Sequence, residues 1–195
     1  MLKSFAVQSA AAVRVLLVFT VLLGVAYPLS VWAVSRLPGL HHHAEGSIVE
    51  HDGRPAGSAL IGVDPVFDGP PARDPWFHTR PSATGGPPDS GGSNASAFNP
   101  GQVRLVRQRQ EQIAEREGVS PAAVPADAVT ASASGLDPDI SVAYAHLQAA
   151  RVARNNGLAT GEVRHLIERC TSTRGIGVPS VNVLRLNLAV QARAH

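Results

Sequence analysis

The pattern of hydrophobic and polar positions divides the chain into two parts. The residues from Val15 to Ser35 carry no charge, and the hydrocarbon core of a bilayer takes roughly 20 residues of helix. A cleaved secretory signal has an apolar region of only about 7 to 15 residues, so this run reads as an uncleaved transmembrane helix, 15–35, behind a cytoplasmic tail, 1–14. Tyr27 and Trp32 fall in its C-terminal half, where amphipathic rings favour the headgroup region. Lys3 and Arg14 on one side and Arg36 on the other do not decide orientation by charge. A short tail before a large domain favours N-inside, because long domains translocate largely regardless of charge. Thr20, Gly24 and Pro28 recur every fourth residue and share a helix face, where small residues let a partner helix approach closely.

A linker, 36–46, leads into a soluble domain, 47–195. The apolar runs Ser47–Val49 and Ala59–Val63 flank Asp52-Gly53, a pair suited to a tight turn, and predict a hairpin. From Asp64 to Pro100 there is no periodicity, yet this proline-rich stretch contains Trp76, Phe77, His78, Arg80 and Phe98. Long loops in compact domains are either functional or disordered, and the aromatics favour a structured, recognition-bearing loop, 64–100.

Asn99 and Pro100 are a good helix cap and first residue, and Gly118 a good stop. Between them Val103, Val106, Gln110 and Ile113 make a thin apolar stripe, and the Arg, Gln and Glu around it read as a solvated face. Ser120-Pro121 opens a short helical segment reaching Val124. Ser141 caps a helix running to Asn156 and stopped by Gly157, and Thr160 caps another that buries Val163, Leu166, Ile167 and Cys170. At the end Leu184, Leu186, Leu188 and Val190 alternate with Arg185, Asn187 and Ala189, the period of a half-buried strand. That strand is expected to share a sheet with the early hairpin, with the helices packed against it. The expected fold is a single N-terminal transmembrane helix followed by an α+β extracytoplasmic domain.

Composition narrows the function. The net charge is +2 and charged residues are 16% of the chain, so no dominant field points to nucleic acid. Cys170 is the sole cysteine, which excludes an intramolecular disulfide, and its apolar helical neighbours indicate an inert thiol. Lys3 is the only lysine, so a phosphate-cradling P-loop and Schiff-base chemistry are excluded. No Gly-x-Ser-x-Gly elbow occurs. His41, His42 and His43 are adjacent and cannot readily converge on one ion, so no metal is expected. Thr130–Ser141, reading TASASGLDPDIS, is the densest polar segment. If 129–134 is helical, Thr130 and Ser134 share a face, for close packing of small residues and capping or for interface or ligand hydrogen bonds.

Five ordered motifs then carry a resemblance: WFHTRPSA (76–83), GGSN (91–94), FNP (98–100), VTASASGLDPDIS (129–141) and VNVLRLNLAV (181–190). With one span ahead of them, the chain resembles the C subunit of the Kdp potassium-transporting ATPase over nearly its whole length. The resemblance implies a noncatalytic, single-pass subunit of the bacterial inner membrane, with its soluble domain outside. It implies as partners a channel-like potassium-binding subunit, a P-type ATPase subunit and a small peptide subunit. It further implies an accessory role in ATP-driven potassium uptake, stabilising the complex and raising the ATP affinity of the pump subunit as a catalytic chaperone, with ATP reached through the complex rather than as a cofactor of its own. The family's glutamine ahead of an Arg-Val pair corresponds to Gln148, before Arg151 and Val152, a candidate nucleotide site. Ala133, Asp139 and Ala149-Ala150 depart from the family's usual glycine, histidine and Val-Pro. Partner contacts are expected at Thr20, Gly24, Pro28, Phe77, His78, Arg80, Ser93, Asn94 and Asp137. A membrane-tethered extracytoplasmic enzyme or free-standing binding module is the alternative.

Overall fold

A computed structural model describes residues 2–173 and 177–194, which fall into two compact units divided between Ser47 and Ile48. The first is dominated by a helix that opens as α1 (Leu2–Val21), widens into a π-helical turn (Leu22–Ala26) and continues as α2 (Tyr27–Ser35). Lys3–Ser35 has a mean hydropathy of 2.2 in its most apolar window and none of that window is buried within the chain. The chain is a single-pass membrane protein with an extracytoplasmic domain. Helical structure extends well upstream of Val15, the start expected from the uncharged run. The π-turn lies just ahead of Pro28, which has no N–H to donate to the preceding turn, and Tyr27 N–H bonds back to the Leu22 carbonyl. A short helix, α3 (His41–Ala44), contains the three histidines. It places them on successive, diverging directions, and Arg36 pairs instead with Glu45 at 2.8 Å.

The second unit begins with the hairpin β1 (Ile48–His51) and β2 (Arg54–Ser58). Asp52 and Gly53 both have positive φ, as a two-residue hairpin turn of this type requires. The turn is where the sequence puts it, but the second strand is Arg54–Ser58 rather than Ala59–Val63. A two-residue turn fixes the register, so the residues immediately after it pair whatever their hydrophobicity. β1 and β2 form a sheet of their own. A separate three-stranded sheet has the order β3-β5-β4, from β3 (Asp139–Ser141), β4 (Thr171–Ser172) and β5 (Ser180–Asn182). The expected sheet shared by hairpin and chain end is therefore not formed.

Helices carry the core. α4 (Pro100–Glu117) is capped by Asn99, whose Oδ1 accepts from the N–H groups of Gly101 and Gln102, and it ends on the left-handed Gly118. A single helical turn, α5 (Ala126–Val129), follows. α6 (Val142–Asn155) is capped by Ser141, whose Oγ accepts from Tyr144 N–H. α7 (Thr160–Cys170) starts after Ala159, with Thr160 its first residue rather than its cap. The terminal segment is α8 (Val183–Ala194), not a strand. Val183, Leu186 and Val190 are its buried apolar residues. Their i, i+3, i+7 spacing is helical, and it was hidden beneath the alternation of Leu184, Leu186 and Leu188. Asn182 Oδ1 accepts from Arg185 N–H at 3.1 Å and marks the start. Ala145, Ala149 and Ala153 of α6 are buried, and their small side chains let α7 pack closely. α7 and α8 contribute Val163, Leu166, Ile167, Leu186 and Val190 to the same core.

Candidate functional site

The long proline-rich loop enters the interior. Phe77 is completely buried and His78 and Thr79 nearly so, which makes this a structured loop and raises the question of how its backbone is satisfied, since a buried amide without a partner is costly. Two side-chain carboxamides supply the answer. Asn187 of α8 accepts from Phe77 N–H at 2.8 Å and donates to its carbonyl at 3.0 Å. Gln148 of α6 does the same for His78, accepting at 2.8 Å and donating at 3.3 Å. A carboxamide carries the same donor and acceptor as a peptide group, so these two residues stand in for neighbouring strands.

The preceding loop residues lie along the same face of α6. Arg151 Nη1 donates to the carbonyls of Asp74 and Trp76, the latter at 2.9 Å. Asn155 reaches the carbonyls of Ala72 and Asp74, both at 3.0 Å, and Asn156 that of Pro75 at 2.8 Å. Gln148, Arg151 and Asn155 follow one another at i, i+3 and i+7, which aligns them on one helical stripe.

Charge is buried with the loop. Arg151 Nε lies 3.1 Å from both oxygens of Glu117, and Arg116 Nε lies 2.8 Å from Glu117 Oε1. The Arg151 and Glu117 side chains have no exposure at all. Burial pushes the Arg151 guanidinium down, and Glu117 opposes that shift. Burial acts downward on Arg116 too, but there the neighbouring oxygens of Tyr144 and Glu117 prevail and raise it. Arg116 Nη2 donates to the Tyr144 hydroxyl at 3.0 Å. Burial raises the Tyr144 phenol against the opposing pull of Arg116.

His78 joins this cluster to the surface. Its Nε2 is 2.9 Å from Asp74 Oδ2 and its Nδ1 is 3.1 Å from Asp64 Oδ2. A neutral imidazole has one N–H and serves one carboxylate, so donating to both takes the imidazolium. Partial burial acts upward on Asp64, but the His78 hydrogen bond and charge, with two bonds from Thr79, outweigh it and hold the carboxyl below the usual range.

The expected site residues thus differ widely in exposure. Phe77, Gln148 and Arg151 are buried, Phe77 and Gln148 completely, and hold the loop in place. None of them offers a surface to a partner or a nucleotide in this structure. His78 is nearly buried between its carboxylates. Arg80 and Asp137 are partly exposed and pair with each other at 3.1 Å. Ser93 and Asn94 are exposed, Asn94 with positive φ. Thr20, Gly24 and Pro28 lie uncovered on the apolar helix, where Thr20 Oγ1 bonds back to the Leu16 carbonyl.

Thr130–Ser141 is not helical beyond Val129. It runs extended against the loop instead: Ser132 N–H donates to the Pro81 carbonyl, and Ser134 accepts from Gly91 N–H and Ser90 Oγ. Gly62 N–H bonds the Leu136 carbonyl, and a Cβ on Gly62 would run into the Asp137 carbonyl, so this crossing admits only glycine without rearrangement. Asp139, where the resembling family often has histidine, accepts from Ser180 Oγ at 3.0 Å and Asn182 Nδ2 at 3.1 Å and braces β3 against β5. α6 runs unbroken through Ala149 and Ala150.

Sequence reasoning missed Asp64, Asp74, Arg116, Glu117 and Asn187. Arg116 and Glu117 are not part of a solvated face: their side chains are 15% and 0% exposed and pair with each other. The available signal was polar: Gln148, Arg151 and Asn155 make a stripe on a helix with an apolar neighbouring face, which calls for buried partners. Among the described residues, no three or more His, Cys, Asp or Glu residues gather as metal ligands.

Comparison with known proteins agrees with this architecture. Residues 9–192 match the model of the KdpC family, described as the K+-transporting ATPase, c chain. The chain is 42% identical over 193 residues to the potassium-transporting ATPase KdpC subunit of Kineococcus radiotolerans, covering 96% of this chain and 94% of that one. It is 45% identical over 182 residues to the subunit of the same name from Polaromonas naphthalenivorans, covering 90% and 89%. It is also 46% identical over 180 residues to that of Variovorax paradoxus, covering 89% and 90%. Matched over nearly all of its span and domain, the chain belongs to the KdpC family, the c chain of the potassium-transporting ATPase.

Proposed function

We propose that this accessory subunit stabilises an ATP-driven potassium uptake complex and raises the ATP affinity of its P-type ATPase subunit through docking, without touching ATP itself. Membership of the KdpC family carries the accessory role, and the exclusion of direct ATP contact rests on the burial of Gln148 and Arg151, at 0% and 1% exposure. Their polar atoms are committed to loop carbonyls, an amide and Glu117. A nucleotide would reach them only by displacing the loop that closes the core. The domain also lies on the far side of the membrane from cytoplasmic ATP.

The partners in this reading are the channel-like potassium-binding subunit, the P-type ATPase subunit and the small peptide subunit. The Thr20, Gly24 and Pro28 face meets neighbouring membrane helices, since small residues favour close approach in lipid. Ser93 and Asn94, with the Arg80–Asp137 pair, are the domain residues available for docking. Phe77 and His78 support docking indirectly, by fixing the loop that carries those residues.

Purified complex with and without this subunit tests the proposal. Potassium-stimulated ATPase activity and the KM for ATP are measured together with subunit stoichiometry. A higher KM and weaker assembly without the subunit are expected. Unchanged assembly with unchanged ATPase would sink the idea.

A further inference from the structure

The loop that closes the core leaves a cavity of about 700 Å³ on its other side, walled by the loop, α4, Asp137 and Tyr144. Cavities of this volume suit small organic molecules. On α4, Arg109, Ile113 and Arg116 fall within an arc of about 60°, at 100° per residue, and all three line the cavity. Apolar wall is supplied by Val63, Val66, Pro81 and Pro87 as well as Ile113.

The polar wall has hydrogen-bond donors to spare. Among the described residues Arg109 has no carboxylate partner, and its one hydrogen bond runs from Nη1 to the Val129 carbonyl at 3.0 Å. Burial pushes its guanidinium down, the mark of a cation taken partly out of water without a counterion. Tyr144 accepts from Arg116, which leaves its own O–H without an acceptor among the described residues. Arg80 spends Nη1 on Asp137, while its buried Nε has no partner among those residues. The carboxylates on the wall do not offset these donors equally. Asp64 is engaged by His78 and Thr79, Asp137 by Arg80 and the Asp139 N–H, and Glu115 is exposed to water.

We propose that this cavity binds a small organic anion from the extracytoplasmic solution, with an apolar body against Ile113 and the prolines and an oxyanionic head on Arg109 and the Tyr144 hydroxyl. The site shares Arg80 and Asp137 with the proposed docking surface, but binding there does not depend on any effect on ATP affinity. A ligand seated there would tie α4 to the loop that carries Arg80.

The test uses the full chain in detergent at neutral pH, titrated with benzoate as the probe and with neutral benzamide and inorganic phosphate as comparisons, read by calorimetry. Saturable benzoate binding is expected, with benzamide and phosphate each weaker by about tenfold or more. Arg109→Gln is expected to weaken benzoate by at least about tenfold, whereas Arg104→Gln, on the exposed side of α4, leaves it unchanged. Arg109→Lys, which keeps the charge, retains most of the binding. The absence of saturable benzoate binding overturns the proposal. So does benzamide or phosphate binding as tightly as benzoate, or full affinity in a folded Arg109→Gln protein. The probe comparison on the unmodified chain decides the matter even where a variant fails to fold.

Discussion

Gln148 grips His78 by both backbone groups, its Oε1 accepting from the N–H at 2.8 Å and its Nε2 donating to the carbonyl at 3.3 Å. The two residues are 70 positions apart in sequence. One side chain therefore settles the hydrogen bonding of a loop residue that would otherwise be buried with two unsatisfied groups. This bond pair gives Gln148 a structural task that competes with any nucleotide role.

Replacing Gln148 separates those tasks. Gln148→Leu keeps the volume roughly constant and strands the His78 amide and carbonyl, so a loss of about 2 to 4 kcal/mol is expected. Urea unfolding of the full chain in detergent measures it. In the assembled complex, any rise in KM for ATP should scale with the amount of subunit lost. A raised KM with full stability and full occupancy would instead give Gln148 a direct nucleotide contact.

The Arg151–Glu117 pair predicts strong non-additivity. Glu117→Gln leaves Arg151 and Arg116 without the carboxylate they share and should cost about 3 to 5 kcal/mol. Arg151→Met leaves Glu117 paired with Arg116 and should cost less. The double variant should be less destabilised than the two losses added together, because no charge is left unpaired between those two positions. Thermal unfolding of the three variants tests the cycle, and simple additivity would mean that the two residues act separately.

Asp64 predicts the acid limb of stability. Its folded carboxyl titrates below the ordinary value of 3.8, because His78 and Thr79 bonds outweigh partial burial. The sign follows: the stabilisation is fully present above about pH 4 and is lost as pH falls through the lower, folded value. Asp64→Asn should be less stable than the parent near neutrality, and its stability should fall less steeply in acid. Urea midpoints between neutral pH and about pH 3 measure the difference, and parallel curves would remove Asp64 from this role.

Gly24 tests the membrane face. A Cβ there meets nothing nearer than Thr20 Cγ2 at 4.0 Å, so Gly24→Leu leaves the helix itself undisturbed. It adds bulk to the side offered to a neighbouring helix. Weaker recovery of the other subunits in affinity purification is expected, with unchanged membrane insertion. Normal recovery would reduce the span to a tether.

What was legible in the sequence was local. Asn99, Ser141 and Gly118 announce helix ends because each acts on amides or carbonyls within a few residues, and Asp52-Gly53 announces its turn for the same reason. The terminal helix was misread because leucine alternation at Leu184–Leu188 and helical spacing at Val183, Leu186 and Val190 coexist in one segment. Only tertiary burial chooses between them, and it buries the second set. The fixed loop was anticipated from its aromatics, but not its means. Glu117 meets Arg151, and Asn187 meets Phe77, across 34 and 110 residues, and no local pattern encodes such a pairing. For the same reason the sequence does not reveal that the Phe77 ring is a core side chain and not a docking surface.

The π-turn at Leu22–Ala26 changes how the membrane helix is to be drawn. A wide turn takes up one extra residue, so everything beyond Ala26 is set back by about one residue's rotation, roughly 100°, from where a uniform helical wheel puts it. Tyr27 and Trp32 consequently look toward a different sector of the bilayer than their spacing from Leu16 or Phe19 suggests. Thr20 and Pro28, about 80° apart on a uniform wheel, come within about 20° of one another, so a neighbour that follows the groove beside Thr20 stays beside Pro28. Deleting a single residue within Leu22–Ala26 would straighten the winding and leave the two halves in the same alignment, so a one-residue gap at this point in a related span need not move its partner at all.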